Sequence, residues 1–596
     1  MASGWMIRGR GRSLGRLAFD TAGNTLVIVA AALMPLTALA GSAVDMARLY
    51  VVKVRLQQAC DAGALAGRKF MVDSTFDANA QTQAQNFFKN NFQQGWFSTR
   101  SVSFTPQTTV DGQISGTATA TVPMVVMQAF GQQAVTLNVN CQARLEVADV
   151  DVMFVLDTTG SMACAASESS CSQTQIAYST PSGTRYYLQE KSTSKIVALR
   201  QAVNDFYTTL TSAADASTHL RFGFVPYTST VNVGYIIPSS HMITGNYTYQ
   251  SRHPNGEGQS TSNYTANNVS QTACNQNPGT YNYSRTPATG LPATSRRSTN
   301  WSSNGGGKCS YSETTYAQSW RYQQESVDVT NFVAGLAVTN PAMTDGSKNI
   351  WQGCIEERPT TASTSFSLSA LPSDLDIDLA PTSYATRWRP MWPELIYARS
   401  STPQDTTATN SSPASTANMQ SGYVTCGQQA QRLRTMTASE VSSYVNSLHV
   451  IGGTYHDVGM LWGSRFISPT GPYATDTAAW PNRNPPNRNI VFMTDGDMAP
   501  NMTIYGLYGY EQLDGRVGAT SQTDQKDRHN ARFSTICEEA KSKNITIWVV
   551  AYAQTMTTEL QNCASPNKAF YAADDTALKN AFKTIASQIA ELRLSK

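Results

Sequence analysis

The chain has 596 residues, too many for one ordinary core, so its length predicts two or three domains. Charged residues make up only 14% and the net charge is +3, without a basic stripe interleaved with aromatics, which excludes a nucleic-acid binder. Polarity comes instead from Ser, Thr, Asn and Gln, a composition common in exported surface proteins.

Arg8, Arg10, Arg12 and Arg16 precede a stretch from Thr21 to Val44 that carries no charge. Those 24 residues exceed the roughly 20 needed to span a bilayer as a helix. The arginines lie before the span, so the positive-inside rule predicts a cytoplasmic N-terminus at 1–20 and places the bulk of the chain outside. A second reading stays open. Ala38-Leu39-Ala40 fits an A-x-A cleavage site, and Leu26 to Thr37 has the length of a signal-peptide apolar core. Against cleavage, Met46, Leu49, Tyr50, Val51, Val54, Leu56 and Ala59 continue at near-helical spacing, as if one helix ran on out of the membrane through 21–72.

The run from Gly23 to Phe70 carries Gly23-Asn24, Pro35 within the span, Ala43-Val44-Asp45 at its exit, and the helix pattern from Leu56 through Ala66. In that order these residues resemble the N-terminal segment of TadG-like Flp pilus-assembly proteins. The resemblance implies a single-pass protein of a bacterial inner membrane, facing the periplasm, with pilus-assembly components as partners. Related pseudopilins carry a Glu shortly after the Gly for prepilin processing, whereas this chain has only neutral residues there.

A small α+β domain is predicted for 73–148. A polar helix at Ala78 to Phe92 precedes alternating runs at Val102-Phe104, Ser115-Val122 and Val135-Val147, with an Asp111-Gly112 turn between the first two. No chemistry is visible in it, and it reads as a spacer or assembly module.

From 149 to 596 the pattern changes. Val152 to Leu156 is a continuous apolar run, expected of a strand buried on both faces of a parallel sheet. Lys195 to Thr211 carries a helix stripe of Ile196, Leu199, Val203, Phe206 and Leu210, and Leu220 to Val225 is the next strand. Ile490-Met493 and Ile545-Tyr552 are later strands, with helices around Phe533-Ala540 and Leu578-Leu592. This grammar predicts a doubly wound, mostly parallel α/β sheet.

It is interrupted at about 234–427 by a stretch rich in Ser, Thr, Asn, Tyr and Gly. That stretch holds Trp301, Trp320, Trp351, Trp388 and Trp392 and four of the ten cysteines. So many aromatics predict a folded, loop-rich insertion stapled by disulfides, not a linker. Its aromatics could suit glycans, with core packing the simpler reading. Asp374, Asp376 and Asp378 alternate along Ser373-Ala380 and could chelate Ca²⁺, but no Gly turn or closing Glu completes an EF-hand loop, so they read as a solvated strand face. The even cysteine count in an exported chain points to disulfides, with Cys164 and Cys171 close enough to bridge; no zinc-type spacing occurs.

Three short motifs sit where an open α/β sheet presents ligands, beyond the carboxyl ends of strands. They are Asp157-Thr158-Thr159-Gly160-Ser161, Gly452-Gly453-Thr454 and Thr494-Asp495-Gly496-Asp497. Each alone fits a helix cap or a turn. Together they resemble the metal-ion-dependent adhesion site (MIDAS) of von Willebrand factor A (VWA) domains, a Rossmann-like fold. The resemblance implies Mg²⁺, or Mn²⁺ or Ca²⁺, held by hydroxyls of Thr159, Ser161 and Thr454, with Asp157 and Asp495 bound directly or through water. Such an ion prefers oxygen donors in octahedral geometry. Under-neutralised by hydroxyls, it would accept an acidic side chain of a protein partner. The alternative is a VWA fold in which these residues only cap helices and make turns. His456 beside Asp457 reads as helix-start chemistry, and Asp497 as a solvated turn.

No H-E-x-x-H, G-x-S-x-G, Walker A or strand-following G-x-G-x-x-G motif occurs, so a catalytic role has no support in the sequence. The expectation is a metal-dependent adhesion or assembly protein, not an enzyme. An envelope scaffold or sensor without a pilus role, or a secreted adhesin, remains open.

Overall fold

The computed structural model describes residues 21–71, 76–109, 113–143, 149–168, 170–171, 174–180, 183–214, 218–276, 294–304, 306–399, 404–406, 426–481 and 483–591. Two compact units divide the chain, Met1–Val147 and Ala148–Lys596. The N-terminal arginines and the Asp111-Gly112 turn lie outside the described residues.

In the first unit α1 (Thr21–Lys69) is one continuous helix that contains Pro35. It is long and apolar enough to cross a membrane, which suggests a single-pass anchor. Its second half behaves as a core helix. Val52, Leu56, Ala59, Cys60 and Ala64 are buried with residues of α2 (Ala78–Asn91) and of the strands β1 (Arg100–Thr108), β2 (Ile114–Pro123) and β3 (Ala134–Ala143). The strands form an antiparallel sheet in the order β1-β2-β3. Every second residue of β2 from Ile114 to Val122 is buried, so one sheet face covers the helices and the other meets solvent. A Cys60–Cys141 disulfide ties α1 to β3.

The second unit opens with β4 (Val150–Asp157), a hairpin of β5 (Gln175–Thr180) and β6 (Gly183–Leu188), α3 (Lys195–Ala213) and β7 (Leu220–Tyr227). An insertion follows with the long strands β8 (Asn246–Asn267), β9 (Thr294–Ser302) and β10 (Lys308–Asp328). The chain then resumes with β11 (Gln431–Arg434), α4 (Ala438–Asn446), α5 (His456–Ile467), β12 (Asn487–Thr494), α6 (Gln522–Ser542), β13 (Ile545–Tyr552), β14 (Ala569–Ala572) and α7 (Asp575–Glu591).

Six of these strands form one mixed sheet in the order β11-β7-β4-β12-β13-β14, all parallel except β11. β4 is buried along its whole length because both faces are covered. Its Val150, Val152, Phe154 and Leu156 join a core with α3, α4 and α7, while Met153 and Val155 join the core of α5 and α6. Helix α5 lies close on the sheet through two glycines. A Cβ on Gly459 would sit 2.4 Å from the Tyr227 ring, and one on Gly463 2.3 Å from Val155.

Beside its loops the insertion holds a long sheet that the sequence does not announce. β10 pairs antiparallel with both β8 and β9 over long registers. Segments such as Gln259 to Asn267 are polar at nearly every position, so no apolar alternation announces the strands. Cys274–Cys309 and Cys354–Cys426 staple the insertion, and all ten cysteines of the chain are paired. Trp320, Trp351, Trp388 and Trp392 are buried in the core shared with α5, with Trp388 4.8 Å from Trp462. Core packing therefore accounts for these four tryptophans.

The solvated-face expectation is corrected for Asp374 and Asp378. Asp374 is buried against the Arg532 guanidinium, and Asp378 accepts from Ser468, Thr470 and Lys543. Their partners come from α6 and from the segment after α5, far along the sequence, so spacing alone could not reveal them.

Candidate functional site

On one side of β4 lies β7 and on the other β12, so the chain reverses its direction of travel across the sheet here. At such a point the connections leave toward opposite faces and open a crevice at the carboxyl ends of the strands. All three sequence motifs meet in it.

Asp157, the last residue of β4, is fully buried. Its Oδ1 accepts the Thr159 N–H at 2.9 Å and its Oδ2 accepts the Thr494 hydroxyl at 2.7 Å. Asp495, just past β12, accepts the Ser161 hydroxyl at 2.7 Å on Oδ1 and the Lys195 ammonium at 2.7 Å on Oδ2. The Thr454 hydroxyl donates to Thr159 Oγ1 at 3.1 Å, and Thr159 Oγ1 lies 3.3 Å from Ser161 Oγ. Gly452, with φ +71°, lets the second loop turn back so that its carbonyl accepts the Gly160 N–H at 3.2 Å. A Cβ on Gly496 would stand 3.8 Å from both Ser161 Oγ and Thr454 Oγ1. The crevice, about 410 Å³, is lined by Ser161, Thr454, Gly453, Asn501 and Gln522 among others.

The electrostatics of this cluster are unbalanced. Burial, and then the neighbouring Asp495 carboxylate, push the Asp157 carboxyl up from its ordinary range. Burial raises Asp495 as well, opposed by Lys195 and the Ser161 hydroxyl. Asp495 thus meets an ammonium as well as a hydroxyl, while the side-chain partners of Asp157 are neutral hydroxyls.

The donor set is all oxygen, the kind of donor that a hard divalent cation prefers. Adjacent oxygens around an octahedral Mg²⁺ at about 2.1 Å lie roughly 3 Å apart. The oxygen pairs that link Asp495, Ser161, Thr159 and Thr454 fall at 2.7, 3.3 and 3.1 Å. Serine and threonine oxygens can turn their lone pairs to an ion by rotating one bond. Among the described residues no cluster of three or more His, Cys, Asp or Glu occurs, so any ion held here relies on hydroxyls.

All five residues expected from the sequence are therefore brought together. Two further residues act here in roles the sequence did not give them: Lys195, which reads as the first residue of a helix stripe, and Thr494, which opens the third motif. Lys195 reaches the site because its backbone N–H donates to the Cys164 carbonyl at 2.8 Å, and Cys164 is bridged to Cys171. His456 starts α5, and its Nε2 lies 3.0 Å from Thr494 Oγ1 and 3.1 Å from the Gly496 carbonyl. Burial lowers its pKa to about 4, so it is neutral. Asp457 turns away to His529, 2.8 Å from its Nδ1. Asp497 is exposed beside Lys526.

The family model described as Flp pilus-assembly TadE/G-like matches residues 23–86. No curated protein matches the chain. Two solved structures align with most of the chain: the PilB minor pilin from Streptococcus sanguinis and a point mutant of that same pilin. For the first, identity is 9%, coverage is 84% of this chain and 81% of that one, and the TM-score is 0.29; for the mutant the TM-score is 0.27. Likeness at that level carries no argument about fold or function.

Proposed function

We propose that the chain is a membrane-anchored adhesion or assembly protein of a Flp-type pilus system. In this reading the second unit is a VWA domain that binds partners through a metal ion at a MIDAS. The observation that carries it is the convergence of Asp157, Thr159, Ser161, Thr454 and Asp495 from three loops into one oxygen cradle. The pilus part is supported by the TadE/G-like match over residues 23–86. The compartment is supported by the apolar helix α1 and by ten cysteines that all pair, which suits an oxidising, extracytoplasmic setting. With the N-terminal arginines before the span, the bulk of the chain faces the periplasm.

Ser161, Thr159 and Thr454 would hold the ion through hydroxyls, with Asp157 and Asp495 as direct or water-mediated ligands. A bound Mg²⁺ supplies an open position for an incoming carboxylate, and the open crevice gives a partner's acidic side chain room to reach it. The chain's own residues set the geometry: Gly452 turns the second loop, and Thr494 and the Thr159 N–H orient Asp157.

The test is calorimetric titration of the detergent-solubilised full chain with Mn²⁺ and Mg²⁺, for wild type, Asp157→Ala and Ser161→Ala, with circular dichroism as the fold control. Saturable binding in wild type that both variants lose supports the reading. Well-folded wild type that binds neither ion refutes it.

A further inference from the structure

The first unit carries a second feature that the proposed function does not use, at the point where α1 leaves its apolar stretch. The uncharged run Thr21–Val44 is 24 residues, about 36 Å of helix at 1.5 Å per residue, against a hydrocarbon core of about 30 Å. Its last turn, from Gly41 to Val44, therefore falls at the level of the lipid interface.

Two loops of the globular part are fixed to the helix at that level. The Asp45 carboxylate accepts three consecutive backbone N–H groups, Val125 and Val126 at 3.0 Å and Met127 at 2.8 Å. Those donors, Met127 foremost, hold the Asp45 carboxyl below its ordinary range. Val126 packs on Gly41, where a Cβ would come within 2.1 Å of it, so the loop reaches into the last turn of the span. One turn on, Arg48 donates to the Pro123 carbonyl at 2.9 Å and to the Phe97 carbonyl. Asp45 and Arg48 thus clamp the loops 95–98 and 124–131 around the exit of α1.

Beside Ser98 and Gln128, these loops expose several large apolar side chains. Trp96 is 43% exposed, Phe97 40%, Val125 64% and Phe130 47%. The first loop is also held in an unfavourable backbone shape, with Gly95, Phe97 and Ser98 at φ +96°, +54° and +59°. Two successive non-glycine residues in the left-handed region at an exposed tip are uncommon and need a reason. Trp96 and Phe97 lie 6.4 Å from the Phe92 ring yet stay two-fifths exposed, and Trp is the side chain most at home at a membrane–water boundary.

We propose that the loops 95–98 and 124–131 form a collar that seats the first unit on the bilayer. Trp96, Phe97, Val125 and Phe130 insert into the lipid interface around the exit of α1. The inference rests on the anchor reading of α1 and gives the partner of this surface as lipid, because the collar is continuous with the apolar end of the span. The collar fixes the height of the unit at the membrane, so a helix free to slide or tilt becomes a seated one.

The experiment uses the full chain reconstituted into vesicles, in a Trp5→Phe background that removes the reporter on the far side of the span. Tryptophan fluorescence is compared in plain phosphatidylcholine and in lipid brominated near the headgroup end of the acyl chain, with and without Trp96→Phe. Bromolipid quenching that disappears in Trp96→Phe supports the collar. Quenching that is absent, or that persists unchanged in Trp96→Phe, overturns it. Flotation separates the two readings: a chain that does not float with the vesicles has lost the anchor itself. A chain that floats but shows no Trp96 quenching keeps the anchor and loses the collar. Circular dichroism of Trp96→Phe checks that the variant is folded.

Discussion

Two buried clusters of charge in the second unit solve the same problem in opposite ways. At Glu357 the donors are charged or aromatic N–H groups, most of them gathered on Oε1, with Arg465 also reaching Oε2. Arg465 approaches at 2.7 and 3.3 Å, Arg358 Nε at 3.2 Å and the Trp388 indole at 2.9 Å. Both guanidinium groups also lie over the Trp388 ring. Burial alone would raise the Glu357 carboxyl, but the charges of Arg465 and Arg358 overcome it and bring it down to about 2. At Asp157 and Asp495 the donors are hydroxyls, one backbone N–H and one lysine, and both carboxyls are raised. A carboxylate retained for structure is closed off by guanidinium forks and an indole N–H. The carboxylates of the crevice are held in part by hydroxyls of Ser161 and Thr494, which can accept as well as donate, instead of by guanidinium groups.

The comparison breaks most readily at Glu357. Glu357→Ala leaves Arg465 buried without its carboxylate, and loss of one partner from a buried pair costs about 3–5 kcal/mol. A large drop in melting temperature, with insertion and α5 loosening together, is the expected outcome. A shift no larger than that of a surface substitution would show the pair to be redundant. A pH series sharpens the same point. A carboxyl whose folded pKa lies below its unfolded value stabilises the fold fully above that unfolded value, here 4.5, and loses the contribution as pH falls through about 2. The gap corresponds to about 3 kcal/mol. The difference in melting temperature between wild type and Glu357→Gln should therefore shrink between pH 4.5 and about 2.

The opposite sign is expected in the crevice. A raised carboxyl favours its protonated form in the fold, so ionised Asp157 costs stability as pH rises above the ordinary carboxylate range. Asp157→Asn keeps an acceptor for the Thr159 N–H, and the Thr494 hydroxyl can reverse to accept from the amide. Melted without divalent ions at pH 8, this variant should match or exceed wild type. Its Mn²⁺ affinity should fall by about 100-fold or more, beyond the 10–100-fold typical of residues that only support a ligand. A variant that loses stability but keeps binding would make the site a structural cluster like Glu357.

The two clusters were not equally legible. The crevice residues lie in short loops directly after apolar strands, where the sheet topology must bring them together. Asp157, Thr159, Ser161, Thr454 and Asp495 could therefore be named from local pattern and order alone. The strands and helices of the sheet announced themselves through runs such as Val152-Leu156 and the Leu578-to-Ile589 stripe. The Glu357 cluster assembles residues from the insertion and α5 with no local signature, and Asp374 reads as solvent-facing because its partner Arg532 lies far along the chain. The long β8/β10 pairing stayed hidden because most of its sequence is polar, with only scattered residues such as Tyr249, Trp320 and Tyr322 turned into the core. Lys195 was visible only as a helix start, since its role depends on a chain reversal through the β5/β6 hairpin.

Lys195 is where the comparison is finest, because it makes the crevice partly resemble the closed cluster. Its ammonium is buried 2.7 Å from Asp495 Oδ2, on the oxygen that Ser161 does not use. It neutralises one of two carboxylates and leaves the other to attract an ion, yet it also repels any ion that arrives. At the effective dielectric of a protein site that repulsion is substantial over a few ångströms. Lys195→Met keeps the length and apolar stem of the side chain and removes the charge. Mn²⁺ affinity should rise by about 10-fold, close to 1.4 kcal/mol, while the ion-free protein melts lower because both carboxylates then lack a cation. Unchanged affinity would mean that Lys195 swings clear when the ion binds. Weaker binding would mean that its grip on Asp495 aims that carboxylate, and orientation would then outweigh charge.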